Sequence, residues 1–99
     1  MLSIEFLNLA QNELDDTFKY YEYQQNNLGY RFIDEVMNSL ELVATYPEAW
    51  TKISAQTRRC IIKTFPYGII YQKRDNVIIV VAIANLHKKP NYWVSRVSK

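Results

Sequence analysis

Between Val77 and Leu86 the chain reads VIIVVAIANL, an apolar and largely β-branched run without a charge or a proline. Branching at Cβ restricts χ1 and favours a pleated strand. Because both alternating sets of side chains are apolar, the run predicts a central strand buried on both faces. Any fold built on it must therefore supply a layer on each side of the sheet. The continuous apolar part, Val77 to Ala84, falls far short of the ~18 residues that span a bilayer.

The flanking sequence supplies partners for this strand. Arg58 to Phe65 reads as a strand, Pro66, Tyr67 and Gly68 as a tight reversal, and Ile69 to Lys73 as the returning strand. Asp75 and Asn76 turn the chain once more into the central run. At the other terminus Leu2 to Leu7 predicts a short strand at or near an edge, with Ile4 and Phe6 on one side and Ser3 and Glu5 on the other.

Two helices are expected between these strands. Asn8 is a candidate N-cap with Gln11 as its capping-box partner, and Leu14, Phe18 and Tyr21 form an apolar stripe. Asp15 and Lys19 have the spacing of a favourable i,i+4 pair, worth a few tenths of a kcal/mol. After the polar turn Gln24 to Asn27, a second helix runs from about Leu28 to Tyr46. Its apolar face is Phe32, Val36, Leu40 and Val43, widened by Ile33, Met37 and Ala44. Pro47 ends it, because the residue before proline is driven out of helical geometry. Pro47 to Ser54 is expected to be a connecting loop, with Trp50 as a lid on the core edge. The predicted fold is α+β: an antiparallel-dominated sheet in the order β-α-α-β-β-β, a helical hairpin on one face and a short C-terminal tail or helix. Tyr92 and Trp93 in that tail are the residues available to shield the opposite face.

The chain has 99 residues and fits one domain over residues 1–99, which at this size buries roughly 60–70% of its unfolded surface. No signal sequence or membrane span is recognisable, so a cytoplasmic protein is expected. The single cysteine, Cys60, lies in a strand-like run and reads as a buried small hydrophobe. With one histidine and one cysteine, no metal-ligand spacing and no cofactor is expected.

Charge is distributed unevenly. Residues 1–50 carry nine acids against Lys19 and Arg31, whereas residues 51–99 carry ten lysines and arginines against Asp75 alone. A small net charge of +2 thus conceals an acidic half and a basic half, and a clustered positive field attracts phosphate or acidic polypeptide. Strand alternation predicts that Arg59 and Lys63 point the same way, and the tail adds His87, Lys88, Lys89, Tyr92 and Arg96. Cations interleaved with aromatic rings suit single-stranded RNA. Lysines and arginines on strands also keep sheet edges from aggregating, which is the plainer account of any one of them. Metal-free RNA cleavage needs a base, a cation and an acid, and Arg59, Lys63, His87, Lys88 and Tyr92 have suitable groups.

At these residues the chain resembles the RelE/ParE superfamily of toxins from type II toxin-antitoxin modules. The resemblance spans nearly the whole chain: ELDDTFKYYEYQ followed by GYRFIDEV, then RRCIIKTFPYGIIYQ, then VVAIANLHKKPNYW. It implies a compact toxin with two helices on an antiparallel sheet, associated with growth inhibition and plasmid stabilization and neutralised by a cognate antitoxin that wraps it. RelE-like members cleave messenger RNA on the ribosome. Many carry an arginine directly after the tyrosine that opens the third strand, where this chain has Gly68 after Tyr67. The tail with Pro90 and Trp93 is nearer to ParE-like members, which poison DNA gyrase by binding it, although Asn85 stands where many of those carry a histidine. The leading expectation is a ParE-like toxin whose Lys88, Lys89, Tyr92, Trp93 and Arg96 touch the target or the antitoxin. The alternatives are a RelE-like ribosome-dependent endoribonuclease and a degenerate toxin that retains only antitoxin binding.

Overall fold

In a computed structural model the described residues are 1–97. Lys99, counted above among the cations of the second half, lies outside them. The elements are β1 (Ser3–Phe6), α1 (Asn8–Gln24), α2 (Leu28–Thr45), β2 (Thr51–Lys52), β3 (Arg58–Ile61), β4 (Tyr67–Arg74), β5 (Val77–Asn85) and a short 3-10 turn at Val94–Arg96. The sheet has five strands in the order β1-β5-β4-β3-β2; β1 runs parallel to β5 and every other pair is antiparallel. The helical hairpin must come between β1 and the rest because a parallel pair needs a long crossover.

The apolar run does form a strand with both faces covered. Ile78, Val80 and Ile83 belong to a core shared with Phe32, Val36, Leu40 and Val43 of α2 and with Ala10 and Leu14 of α1. Val81, Ala82 and Ala84 belong to a second, smaller core with Ile70 and Trp93. Two consecutive residues on one face break the alternation. Ile70 pairs with Ala82 and Tyr71 with Val80, so Val81 is an unpaired bulge residue that resets which side chains point to the helices. Burial of each large side chain in these cores contributes about 1.5–3 kcal/mol.

α2 buries the expected face except Met37, which is 44% exposed, and on α1 the buried residues are Ala10, Leu14 and Thr17, with Phe18 and Tyr21 half-buried at its margin. Leu7, rather than Asn8, is the residue before α1, with no side-chain cap, and Gln11 donates to Asp15 Oδ1 at 3.0 Å instead of closing a capping box. The Asp15–Lys19 pair does not form; the ion pair among the described residues joins Arg96 and Glu13. Asn27 adopts left-handed geometry at φ 73°, and Gly29 lets the two helices touch. A Cβ at Gly29 would lie 2.5 Å from the Phe18 carbonyl oxygen, and its N–H donates to Glu22 Oε1 at 2.9 Å.

Other differences lie in the loops and strand ends. The segment expected as a plain loop contains β2, paired as Thr51 with Arg59 and Lys52 with Arg58. Trp50 packs against the larger core, as a lid would. Cys60 is buried, which raises its thiol pKa. The strand from Arg58 stops at Ile61, and Tyr67 and Gly68 belong to β4 rather than to the turn. Early termination has a consequence for side-chain direction: Phe65 packs in the same core as Cys60 and Ile62. Arg59 and Lys63 do not share a face. Arg59 lies beside Ile70 and Trp93, whereas Lys63 lines a groove with Glu35 and Leu42 of α2. Among the described residues no helix is long and apolar enough to cross a membrane.

A candidate partner-binding site at the end of the sheet

β5 is longer than its parallel neighbour. Pairing with β1 ends at Val80, whose carbonyl still accepts from Leu7 N–H at 3.0 Å, and the remainder of β5 has no strand on that side. Side chains satisfy the exposed backbone instead. Glu13 Oε1 accepts from Ile83 N–H at 3.1 Å, and Arg96 Nη1 donates to the carbonyl of the bulge residue Val81 at 3.1 Å. Glu13 and Arg96 also bind each other in a fork, at 2.8 and 3.0 Å. The Tyr92 hydroxyl donates to Glu13 Oε2 at 2.6 Å, and its ring lies 5.1 Å from the Arg96 guanidinium carbon. Charge-assisted bonds of this kind are the stronger class.

This network orders the tail. Burial, reinforced by the acceptor Glu13, pushes the Tyr92 pKa well above the ordinary tyrosine value, so the hydroxyl is held as a proton donor. Its hydrogen bond to Glu13 raises the Arg96 pKa despite partial burial. Trp93 swings beneath the sheet after Asn91, which is left-handed at φ 62°, and is 5% exposed against Ile70 and the alanines of β5. Tyr92, expected to share that covering role, reaches across the sheet end to α1.

Between β5 and Trp93 the chain makes a tight turn. Asn85 Oδ1 accepts from His87 N–H at 2.9 Å, the Asn85 carbonyl accepts from Lys88 N–H at 3.2 Å, and Leu86 N–H donates to the Pro66 carbonyl at 2.8 Å. Lys88 and Lys89 are thereby presented to solvent at the mouths of two clefts. One, of about 420 Å³, faces α1 and is lined by Glu13, Asp16, Thr17, Tyr67, Asn85 and Tyr92. The other, of about 120 Å³, lies on the opposite face beside Arg59, Ala84, Leu86 and Trp93. In it Arg59 lies across Gly68: a Cβ at Gly68 would sit 3.1 Å from both Cγ and Cδ of Arg59. Arg59 Nε is buried there without a hydrogen-bond partner.

The candidate residues therefore fall into groups. Lys88, Lys89 and Tyr92 line both clefts, and Arg59 joins them in the smaller. Trp93 and Arg96 are engaged by the fold itself. Lys63 lies in the α2 groove, and His87 lines neither cleft. The basic half does not form one continuous face, because Lys52, Arg58, Lys73 and Arg74 line a separate cleft at the far end of β4. Glu13 is the residue that sequence reasoning passed over. It reads as one of several acids on an early helical turn, and nothing local marks a contact made 70 residues away.

Comparison with known proteins agrees with this architecture. No curated protein matches the chain. A solved structure described as the chromosomal ParDE TA system from P. aeruginosa is similar at a TM-score of 0.76 with 11% identity, over 88% of this chain and 98% of that one. At that identity the likeness concerns the fold. The family model for the ParE toxin of the type II toxin-antitoxin system parDE matches residues 4–89. This chain belongs to the ParE family of type II toxins.

Proposed function

We propose that this toxin inhibits growth by binding a protein target, DNA gyrase, and that a cognate antitoxin holds it inactive in the cytoplasm. The observation that carries this reading is the tail turn. Lys88 and Lys89 are exposed and flank clefts on both sides of the sheet end, on a scaffold held by Glu13, Tyr92, Trp93 and Arg96. In this reading the lysines touch the target or the antitoxin, while Tyr92 contributes its ring edge and Trp93 and Arg96 hold the turn in place. Cationic rims of this kind raise association rates with acidic partners.

A ribosome-dependent ribonuclease is the second reading, favoured by the meeting of Arg59, Lys88 and Tyr92 in one cleft. Against it stand the positions of Lys63 and His87 outside that cleft and the raised pKa of Tyr92. A hydroxyl committed to donating to Glu13 is a poor general base.

Inducing the chain without an antitoxin separates the readings. Gyrase-dependent DNA breaks are expected, and Lys88→Ala with Lys89→Ala is expected to abolish them while the fold persists. Codon-positioned cuts in translated messenger RNA, lost on Tyr92→Phe, establish the ribonuclease instead. Neither lesion identifies a toxin that retains only antitoxin binding.

A further inference from the structure

The smaller of the two clefts at the sheet end carries positive charge only. Arg59, Lys88 and Lys89 line it with Ala84, Leu86 and Trp93, and no carboxylate does. In the larger cleft on the other face, Glu13 and Asp16 stand opposite the same two lysines. None of the three cations of the smaller cleft has a carboxylate within 4.0 Å among the described residues. Arg59 is placed there by its strand. It pairs with Ile70, and its stem crosses Gly68, where a Cβ would stand 3.1 Å from Cγ and Cδ of Arg59 and 3.4 Å from Leu86 Cδ2. Glycine leaves the stem that room. The cost of this placement falls on Nε, which is buried with no hydrogen-bond partner. A buried donor without an acceptor costs about 1–3 kcal/mol, and more on a charged group, so the orphan marks a place where an acceptor belongs.

We infer that this cleft binds a single phosphate dianion, free or at the head of a phosphate monoester, with Arg59 as its anchor and Lys88 and Lys89 as its rim. An anion there brings opposite charge and hydrogen-bond acceptors together, and the planar guanidinium matches two oxygens of a tetrahedral anion. Three cations in one cleft repel one another, and a dianion offsets more of that repulsion than a carboxylate does. Size and shape select a small ligand over a nucleic acid strand. The cleft holds about 120 Å³ against about 420 Å³ for its neighbour. Trp93, 5% exposed within the second core, offers no ring face on which a base would stack. The site goes beyond the target-binding reading, and its occupancy is measured with neither target nor antitoxin present, so it fails separately. It also differs from the ribonuclease reading, which needs a phosphodiester chain to pass through the cleft.

An NMR titration of the full chain in phosphate-free buffer tests it, with inorganic phosphate, glycerol phosphate and a uridine oligonucleotide lacking terminal phosphates as probes. Saturable binding of the first two is expected, weakening as salt rises. Equal affinities assign the site to free phosphate, and tighter binding of glycerol phosphate assigns it to a monoester. Arg59→Met keeps a stem over Gly68 without the charge and is expected to weaken binding by about tenfold or more. With phosphate absent, its thermal unfolding midpoint is expected to match or exceed that of the parent, because the orphaned donor is gone. Lys88→Ala with Lys89→Ala, both exposed positions, is expected to weaken binding by about two- to fivefold and carries the test if Arg59→Met loses its unfolding transition. Arg74→Ala, in the cleft at the far end of β4, is expected to leave it within about twofold. No saturable binding by the parent, or unchanged affinity in a folded Arg59→Met chain, overturns the inference and leaves Arg59 a structural residue served by water. Tighter binding of the oligonucleotide also overturns it, since the cleft then serves a phosphodiester chain.

Discussion

Two strand edges in this molecule outrun their neighbours, and they are treated oppositely. At the tail end, β5 beyond Val80 is closed from within by Glu13, Tyr92 and Arg96. At the far end, β4 beyond Tyr71 is left beside a cleft of cations. The difference follows from what the chain can bring to each place. α1 leaves β1 directly alongside the uncovered half of β5, so an acid on its second turn reaches the exposed amide. Beyond Tyr71 the side of β4 away from β5 has no strand and meets the Gln56 side chain through Gln72, and the charges of Lys73 and Arg74 discourage unwanted pairing there. One edge is thus closed by the chain's own side chains, the other kept apart from other strands by its charge.

Trp93→Ala tests the tail end most severely. It opens a cavity on the second face, where the ring is 5% exposed, and is expected to cost about 3–5 kcal/mol in urea unfolding. A loss below ~1 kcal/mol would mean the tail is not needed to cover β5. Gly29→Ala, a control away from both edges, pushes a methyl group against the Phe18 carbonyl and is expected to cost about 1–3 kcal/mol as the helices separate.

Glu13→Ala removes the carboxylate partner of Arg96, which keeps only the Val81 carbonyl, and leaves the Ile83 amide without its acceptor, and a loss of about 2 kcal/mol is expected from the charge-assisted bonds. Combination with Arg96→Ala is expected to cost less than the two single changes together; simple additivity would show that the fork adds nothing.

Tyr92→Phe removes a hydrogen bond worth about 1 kcal/mol and sharpens the comparison through pH. The folded pKa of Tyr92 is raised above the ordinary value of 10.0 by burial and by Glu13. Its contribution is therefore intact below pH 10.0 and is lost as pH climbs from there toward the folded value, where the unfolded phenol ionises first. Tyr71, also raised by burial, adds a decline of the same sign. Alkaline denaturation is expected to begin near the unfolded tyrosine pKa and to be shallower in Tyr92→Phe. Identical curves would place Tyr92 outside the linkage.

Smallest of all is Lys73→Ala at the open edge. Lys73 is exposed and forms no ion pair among the described residues, so stability is expected to stay within about 0.5 kcal/mol. A larger loss would make the two edges alike after all.

Legibility in the sequence followed the range of the physics. The apolar faces of Phe32, Val36, Leu40 and Val43 and the run from Val77 are local periodic signals, and both were readable. So was the ending of α2 near Pro47. The bulge at Val81 was not, because every residue nearby is apolar and either face would accept it. Nor was the separation of Arg59 from Lys63, since alternation holds only while the strand continues, and β3 stops at Ile61.

The sequence by itself determined which segments become helix and strand, that both faces of β5 need cover, and that the second half is basic. Those properties depend on side-chain shape and spacing within a few residues. Only the tertiary structure decided where the cations gather, which lysines remain free, and that Glu13 closes a strand 70 residues distant. Such outcomes depend on which backbone groups the chain path leaves unpaired, and that is settled only when the strands have met.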